Sequence, residues 1–425
     1  MNQPAKAPMG RIVTTALAGA SIEWYDFFIY GTAAALVFPA LFFPGSDPLV
    51  GTLLSFGTFA VGFLARPIGG IIFGHYGDKV GRKRSLVAAL LLMGVATTGI
   101  GLMPTYSTIG VFAPLLLVAL RFVQGVAIGG QWGGAVLLLI ESAPPDRRGF
   151  YGSFAQLGVP LGVLLANLVF LAVTEAFGEV ALQEWAWRLP FLFSVVLIGV
   201  GIYINVRLQE TPAFEAVREK TASRQGSPIL QALREHPRII ALAAGAFVSV
   251  NGVFYIFITY IVAYATKTLG MPKSTVLLAV MVSAIVQSPM LVVAAAISDR
   301  VGRYRVFLWG AALLGVWSMV FFPLVDRGTF GSVLLALTVG QAFLSLMYGP
   351  QAALFGELFP VEIRYSGASL GYQIGAIFGG AFAPLIAAFL LAATGNSMAI
   401  GVYMSLMCAV SFVSILLLRG ARIHA

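Results

Sequence analysis

The sequence predicts an all-α membrane protein of twelve transmembrane helices in two six-helix, pseudo-repeated bundles, and three observations predict it. Of 425 residues, 59% are hydrophobic and only 10% charged, and mean hydropathy is +0.91, beyond the range of soluble globular chains. Apolar runs near the ~20 residues needed to cross a bilayer recur twelve times. A polar loop from the first half also returns at the equivalent place in the second.

The opening residues, MNQPAKAPMGRIVTTALAGA, read as a short polar cytoplasmic tail leading into a retained first helix rather than a cleaved signal. The expected spans are 12–40, 51–75, 86–103, 111–140, 149–174 and 187–206, then 239–266, 274–297, 306–325, 330–356, 367–393 and 397–419. With the N-terminus inside, twenty Lys and Arg fall on the inner side. Four, Arg188, Lys267, Lys273 and Arg327, fall outside, and Arg66 and Arg121 lie within spans. That asymmetry puts both termini in the cytoplasm and explains the net charge of +9 without nucleic acid as a partner. Residues 1–206 are expected to form one bundle and 239–425 the other. Residues 207–238 form a cytoplasmic linker with a short amphipathic helix around Glu215, Glu219, Lys220 and Arg224.

Two motif pairs carry the repeat. GHYGDKVGRKRS at 74–85 matches AAISDRVGRYRV at 295–306, with Asp78 over Asp299 and Arg82 over Arg303. ESAPPDRRG at 141–149 matches ELFPVEIRYSG at 357–367, so Glu141 and Arg148 correspond to Glu357 and Arg364. They follow the second and fourth helices of each half, in the same order. Repeated halves meeting at a midplane site are an architecture of secondary transporters.

The loop at 74–85 resembles the signature loop of the major facilitator superfamily. EWYDFFIYGTAA, GFLARPIGGIIFGHYGDKVGRK, RFVQGVAIGGQWGGAVLLLIESAP and ELFPVEIRYSGAS are similar to the metabolite:proton symporter family. That family includes shikimate, 2-oxoglutarate, citrate and proline/betaine carriers. The resemblance covers essentially the whole chain and implies alternating access with uptake of a small metabolite and protons. It also implies an inner gate of Asp78, Arg82, Glu141 and Arg148 with their copies Asp299, Arg303, Glu357 and Arg364. Two departures stand out. Gln131 occupies a place where many members carry Glu, and Gln does not titrate. The chain also ends at LLLRGARIHA, where the osmosensing betaine branch continues into a coiled coil.

Charges inside the spans are the sharpest functional signal. A charged residue at mid-bilayer costs ~2.5–3.5 kcal/mol on insertion scales, so it faces the bundle interior and takes a partner. Glu23 and Asp26 are the acids well inside a span, and Arg66 and Arg121 the bases. Glu23 and Arg66 each sit about 18 Å from the inner face, and Asp26 and Arg121 share a level farther out. Depth therefore pairs Glu23 with Arg66 and Asp26 with Arg121. The second pair resembles the acid and arginine of proton-linked sugar porters. Glu23, Asp26, Phe27 and Tyr30 form one helical stripe. An anion binding an arginine would release its carboxylate to take a proton, which makes Asp26 the first proton-coupling candidate and Glu23 the second. Static struts between helices are the alternative.

Tyr30, Gln131, Gln156, Asn251 and Gln287 are candidate substrate contacts, with interhelical hydrogen bonding as their other use. Trp24, Tyr25, Trp132, Tyr255 and Tyr372 are candidate cavity walls or packing aromatics. Gly367, Gly371, Gly375 and Gly379 form a ladder for close helix contact. GVPLG at 158–162 lacks the doubled glycine of drug antiporters.

No cofactor or metal is expected, since Cys408 is alone and His75, His236 and His424 are scattered. No nucleophile motif or phosphate loop points to an enzyme. The expected function is proton-coupled import of a small organic acid, shikimate-like or another carboxylate, by a monomer in the bacterial inner membrane. The alternatives are an uncoupled facilitator or exchanger of a zwitterionic or neutral metabolite, then an efflux antiporter or a membrane-embedded sensor.

Overall fold

In a hydrocarbon solvent every backbone N–H and C=O must be satisfied within the protein, which leaves the helix as the natural element for apolar runs of this length. The computed structural model describes residues 9–80, 82–129, 139–140, 143–207, 228–359 and 364–420, and among them there is no strand. Twelve long helices follow in order: α1 (Met9–Leu36), α2 (Pro48–Val80), α3 (Arg82–Leu102), α4 (Phe112–Gly129), α5 (Arg148–Ala181) and α6 (Arg188–Arg207). Then come α7 (Pro237–Thr268), α8 (Lys273–Val301), α9 (Arg303–Val325), α10 (Phe330–Glu357), α11 (Ser366–Thr394) and α12 (Met398–Gly420). Nine helices among the described residues are long and apolar enough to cross a membrane. Their outward faces carry Val95, Phe112, Trp309 and Val316, all strongly exposed, where a soluble protein would carry charge.

The helix pairing exposes the repeat. In the first half α1 packs along α5, α2 along α4 and α3 along α6; in the second, α7 along α11, α8 along α10 and α9 along α12. Two seams join the halves, α5 with α8 and α2 with α11, and each is the repeat image of the other.

Helix ends depart from expectation at a few places. The fourth span, expected over 111–140, is described as helix to Gly129 and again at 139–140, so Gln131 and Trp132 lie outside the described residues. The linker helix expected around Glu215 also lies outside them. A separate short helix, Pro228–Glu235, precedes α7. Wider π turns interrupt α7 at Ile256–Tyr260 and Tyr264–Thr268, and α11 at Ile377–Ala381. Such turns frequently mark functional sites, and two of these stand beside the central cavity described below.

Glycines set the closest helix approaches. A Cβ at Gly125 of α4 would fall on the Gly62 carbonyl of α2, and one at Gly379 of α11 would fall on the Val248 carbonyl of α7. Gly371 and Gly375 meet Ala243, Ala244 and Phe247 of α7, so three rungs of the predicted glycine ladder lie on the α7–α11 seam. Gly367 instead meets Phe359. Overpacking such a contact costs about 1–3 kcal/mol. Gly125→Ala is therefore expected to lower the thermal midpoint of the purified protein clearly. Gly57→Ala, where a Cβ meets nothing within 4 Å, should leave it nearly unchanged.

Candidate functional site

Arg66 of α2 and Arg121 of α4 are 1% and 0% exposed, and both guanidinium groups lie over the Phe27 ring of α1. The Arg66 Cζ is 4.4 Å from that ring centroid, 4.4 Å from Phe63 and 5.5 Å from Trp24. The Arg121 Cζ is 4.2 Å from Phe27, 4.1 Å from Tyr30 and 5.0 Å from Phe59. A desolvated cation–π contact contributes up to about 2 kcal/mol, so these rings offset part of the several-kcal/mol cost of burying each cation. Gly62 makes room, since a Cβ there would stand 2.5 Å from the Arg121 Nε.

Hydrogen bonds fix the rest of the cluster. Arg121 Nη1 donates to Gln124 Oε1 at 2.9 Å, and Gln124 Nε2 donates to Thr97 Oγ1 of α3 at 2.7 Å. The Tyr30 hydroxyl donates to Thr58 Oγ1 at 2.7 Å, which seats Tyr30 between α1 and α2. Arg66 is within hydrogen-bonding reach of the Tyr255 hydroxyl on α7 and the Tyr372 hydroxyl on α11. The Nε and Nη2 of both arginines have no hydrogen-bond partner among the described residues.

The acids do not sit where depth alone placed them. No ion pair among the described residues involves Glu23, Asp26, Arg66 or Arg121. Glu23 is half-buried and lies in the electrostatic field of Arg66, so these two are neighbours without a salt bridge. The Asp26–Arg121 pair is corrected outright. Asp26 is fully buried, neither carboxylate oxygen has a partner among the described residues, and it faces Ser194 of α6. The reason is helical phase. Phe27 and Tyr30 hold the α1 face that meets Arg121, and Asp26 is turned about 100° from Phe27. It lies beside Tyr25, whose hydroxyl donates to the Pro190 carbonyl of α6 at 2.7 Å.

A water-sized cavity of about 20 Å³ lies between the halves, walled by Trp24 of α1, Val159 of α5, Asn251 and Tyr255 of α7, Tyr348 of α10 and Tyr372 of α11, among others. Of the predicted contacts, Asn251, Trp24, Tyr255 and Tyr372 line it, and the Asn251 Nδ2 has no partner among the described residues. Its lining does not include Glu23, Asp26, Arg66, Arg121, Tyr30, Gln156 or Gln287. Gln156 instead donates across the seam to the Tyr348 carbonyl at 2.7 Å, and Gln287 is buried in α8 without a described partner.

Phe247, Val250 and Phe254 of the cavity wall, and Gln124 and Thr97 beside Arg121, escaped the sequence reading. Phe247, Val250, Asn251, Phe254 and Tyr255 all line the cavity, with the i, i+3, i+4, i+7, i+8 spacing of one helical face, a signal present in the sequence. The Gln124–Thr97 support of Arg121 left no comparable trace.

Both ends of the seam are bridged. At one, Asp299 of α8 accepts from the Gly149 and Phe150 amides at the start of α5, each at 2.9 Å. Arg303 bonds Asp299 at 3.1 Å and also pairs with Glu357. At the other, Lys273 pairs with Glu179 at 3.3 Å and Lys267 donates to Thr52 at 3.0 Å. Arg148 begins α5 beside the Asp299 contact, and its Nε has no described partner. The side chains of Asp78, Arg82 and Arg364, and all of Glu141, lie outside the described residues.

Comparisons with known proteins agree with this architecture. The family model "Sugar (and other) transporter" matches residues 12–237, and "Major Facilitator Superfamily" matches residues 242–424. The chain is 42% identical over 417 residues to the "Inner membrane metabolite transport protein YhjE" of Escherichia coli K12, covering 97% of this chain and 94% of the relative. It is 37% identical over 419 residues to the "Shikimate transporter" of the same organism, covering 97% and 95%. To its "Proline/betaine transporter" it is 30% identical over 419 residues, covering 95% and 82%. The partially occluded, inward-open xylose transporter XylE of E. coli superposes with a TM-score of 0.75 at 18% identity, covering 97% of each chain, a likeness of fold.

The Asp299 cap has a measurable weight. Losing a helix cap costs about 0.5–2 kcal/mol, and Arg303 would lose its partner as well. Asp299→Ala is expected to lower the thermal midpoint and, in a Cys408→Ser background carrying one cysteine introduced at the α5 start, to raise labelling of that cysteine, both measured on the purified protein.

Proposed function

Because the chain belongs to the major facilitator superfamily of membrane transporters, and is not an enzyme, we propose that it imports a small organic acid with protons by alternating access. One observation carries the reading: Arg66 is a buried cation without an ion-paired acid among the described residues, and it reaches hydroxyls of the cavity wall. Arg66 does not itself line the cavity but bonds Tyr255 and Tyr372, which do, so a carboxylate that displaces those hydroxyls meets a guanidinium whose forked donors match it. The similarity to a shikimate transporter supports an acid of that kind as cargo.

Geometry moves the coupling role between the two acids. Glu23 stands in the field of Arg66 and has that cation as its electrostatic support. When a substrate carboxylate takes Arg66, Glu23 loses that support and takes up a proton, so anion and proton travel together. Asp26, with no ion-paired arginine among the described residues, is the second proton site. Arg121, Tyr30, Gln156 and Gln287 then frame the cluster and the seam, and Asn251 offers its free amide N–H to a substrate oxygen.

In the same reading the protein is a monomer of the bacterial inner membrane, both termini are cytoplasmic, and the bundles are residues 1–206 and 239–425 around the linker 207–238. Asp299, Arg303, Glu357 and Arg148 close the cytoplasmic end together with Asp78, Arg82, Glu141 and Arg364. A zwitterion moved by a facilitator or exchanger is the second reading, favoured by the ring-lined cavity, since aromatic faces also attract quaternary ammonium groups.

Uptake into proteoliposomes under an imposed pH gradient tests the proposal. Wild type is expected to accumulate a small carboxylate and to lose that accumulation with a protonophore. Glu23→Gln should abolish gradient-driven accumulation while retaining substrate exchange, and Asp26→Asn should weaken it. Full-rate accumulation by Glu23→Gln, or accumulation indifferent to the protonophore, would sink the coupling scheme.

A further inference from the structure

We infer that the second half carries a docking site for an anionic phospholipid at the inner end of α12. Arg238 of α7, Arg305 of α9 and Arg419 of α12 answer its phosphate, and the outward stripes of α9 and α12 take its acyl chains. The site stands on the outer surface of the bundle, apart from the buried arginines. Only its assignment to the cytoplasmic leaflet rests on the orientation proposed above.

Helix register brings the three arginines to one level. α12 packs against both α7 and α9. Beside α7, Ser411 donates to the Gly245 carbonyl, Ser249 donates to Ser411, and Gly252 meets Met407. Beside α9, Ser405 donates to the Gly315 carbonyl and Gly401 meets the Ser318 carbonyl. In both seams one number rises as the other falls, so α12 is antiparallel to each neighbour. At ~1.5 Å per residue, that register carries Arg238 and Arg305 to within about 8 Å of Arg419 in height.

Their charges are unmet by the chain. All three are exposed, and no ion pair among the described residues involves them. Arg303 shows the contrast, since Asp299 and Glu357 both pair with it two residues from Arg305. Glu235, three residues before Arg238, makes no described ion pair with it. Guanidinium forks match phosphate oxygens, which makes a phosphate the fitting counter-charge.

The surface beneath the arginines selects a lipid among phosphate carriers. Trp309 is 67% exposed, four residues into α9 from Arg305. An exposed tryptophan of this kind marks the headgroup boundary, and Arg305 lies about 6 Å farther out, among the phosphates. Deeper in the bilayer, α9 presents Val316 and Val320, and α12 presents Leu406, Val410 and Val413, all exposed. A cationic rim above a continuous apolar face fits a molecule with a phosphate over acyl chains. Neither a soluble anion nor an acidic protein segment has both parts.

Native mass spectrometry of the full-length protein in detergent, titrated with phosphatidylglycerol or phosphatidylethanolamine of the same acyl chains, is the test. Wild type is expected to bind phosphatidylglycerol at least fivefold more tightly, and excess glycerol 3-phosphate should leave the bound lipid in place. Arg305→Gln combined with Arg419→Gln should abolish the difference between the two lipids, a ratio independent of how much protein is active. Arg238→Gln alone should weaken phosphatidylglycerol binding about fivefold, an independent reading from α7. Arg147→Gln, whose arginine pairs with Asp146 in the other half, should keep the wild-type ratio. Equal affinity for the two lipids, displacement by glycerol 3-phosphate, a double variant with the wild-type ratio, or an equal loss in Arg147→Gln would each overturn the site. None of these outcomes bears on the transport reading, which the proteoliposome assay tests separately.

Discussion

Two guanidinium groups held in a bundle interior, with no carboxylate in ion-pair contact among the described residues, constrain much of what surrounds them. A buried cation must be given donors' partners, polarizable faces or a ligand. The aromatic rings of α1 and α2 supply the faces, Gln124 and Thr97 supply one set of bonds, and the tyrosines of α7 and α11 supply another. Because Arg66 belongs to the first half and Tyr255 and Tyr372 to the second, this compensation holds only while the halves are together. The charge site and the closure of the carrier are thus one problem in electrostatics.

Close backbone contact makes that arrangement possible. Gly62 and Gly125 let α2 and α4 approach until the Arg121 side chain lies against the α2 backbone, and the glycines of α11 do the same against α7. Small residues matter here because lipid offers no hydrophobic push between helices, so van der Waals contact must do the holding. The repeat then places similar close seams in both halves.

The fold was legible because membrane helices obey length and polarity rules that leave few choices: twelve apolar runs became twelve long helices, and the motif around Asp78 and Asp299 located the repeat. The cluster of charges was legible too, since charges inside spans are few. Their pairing was not. Depth is a one-dimensional coordinate, and it gave Asp26 and Arg121 the same level without the rotation that turns Asp26 toward Ser194. Aromatic partners were equally invisible to a census of charges, because Phe27 competes for a guanidinium without carrying any charge itself. The cavity face of α7 was available as spacing, but spacing alone does not distinguish a wall from a packing stripe.

The Asp299 contact has a kinetic meaning. Its two bonds go to amides that have no partner within their own helix, since they belong to the first turn of α5. Once that end of the seam parts, water can satisfy those amides and the carboxylate nearly as well, so the separated state is not left in deficit. The deficit exists only in between, when the bonds are stretched and the gap is too narrow for a water molecule. In the alternating-access cycle proposed above, a latch of this kind would set how often the two halves let go of each other far more than where the equilibrium between their positions lies.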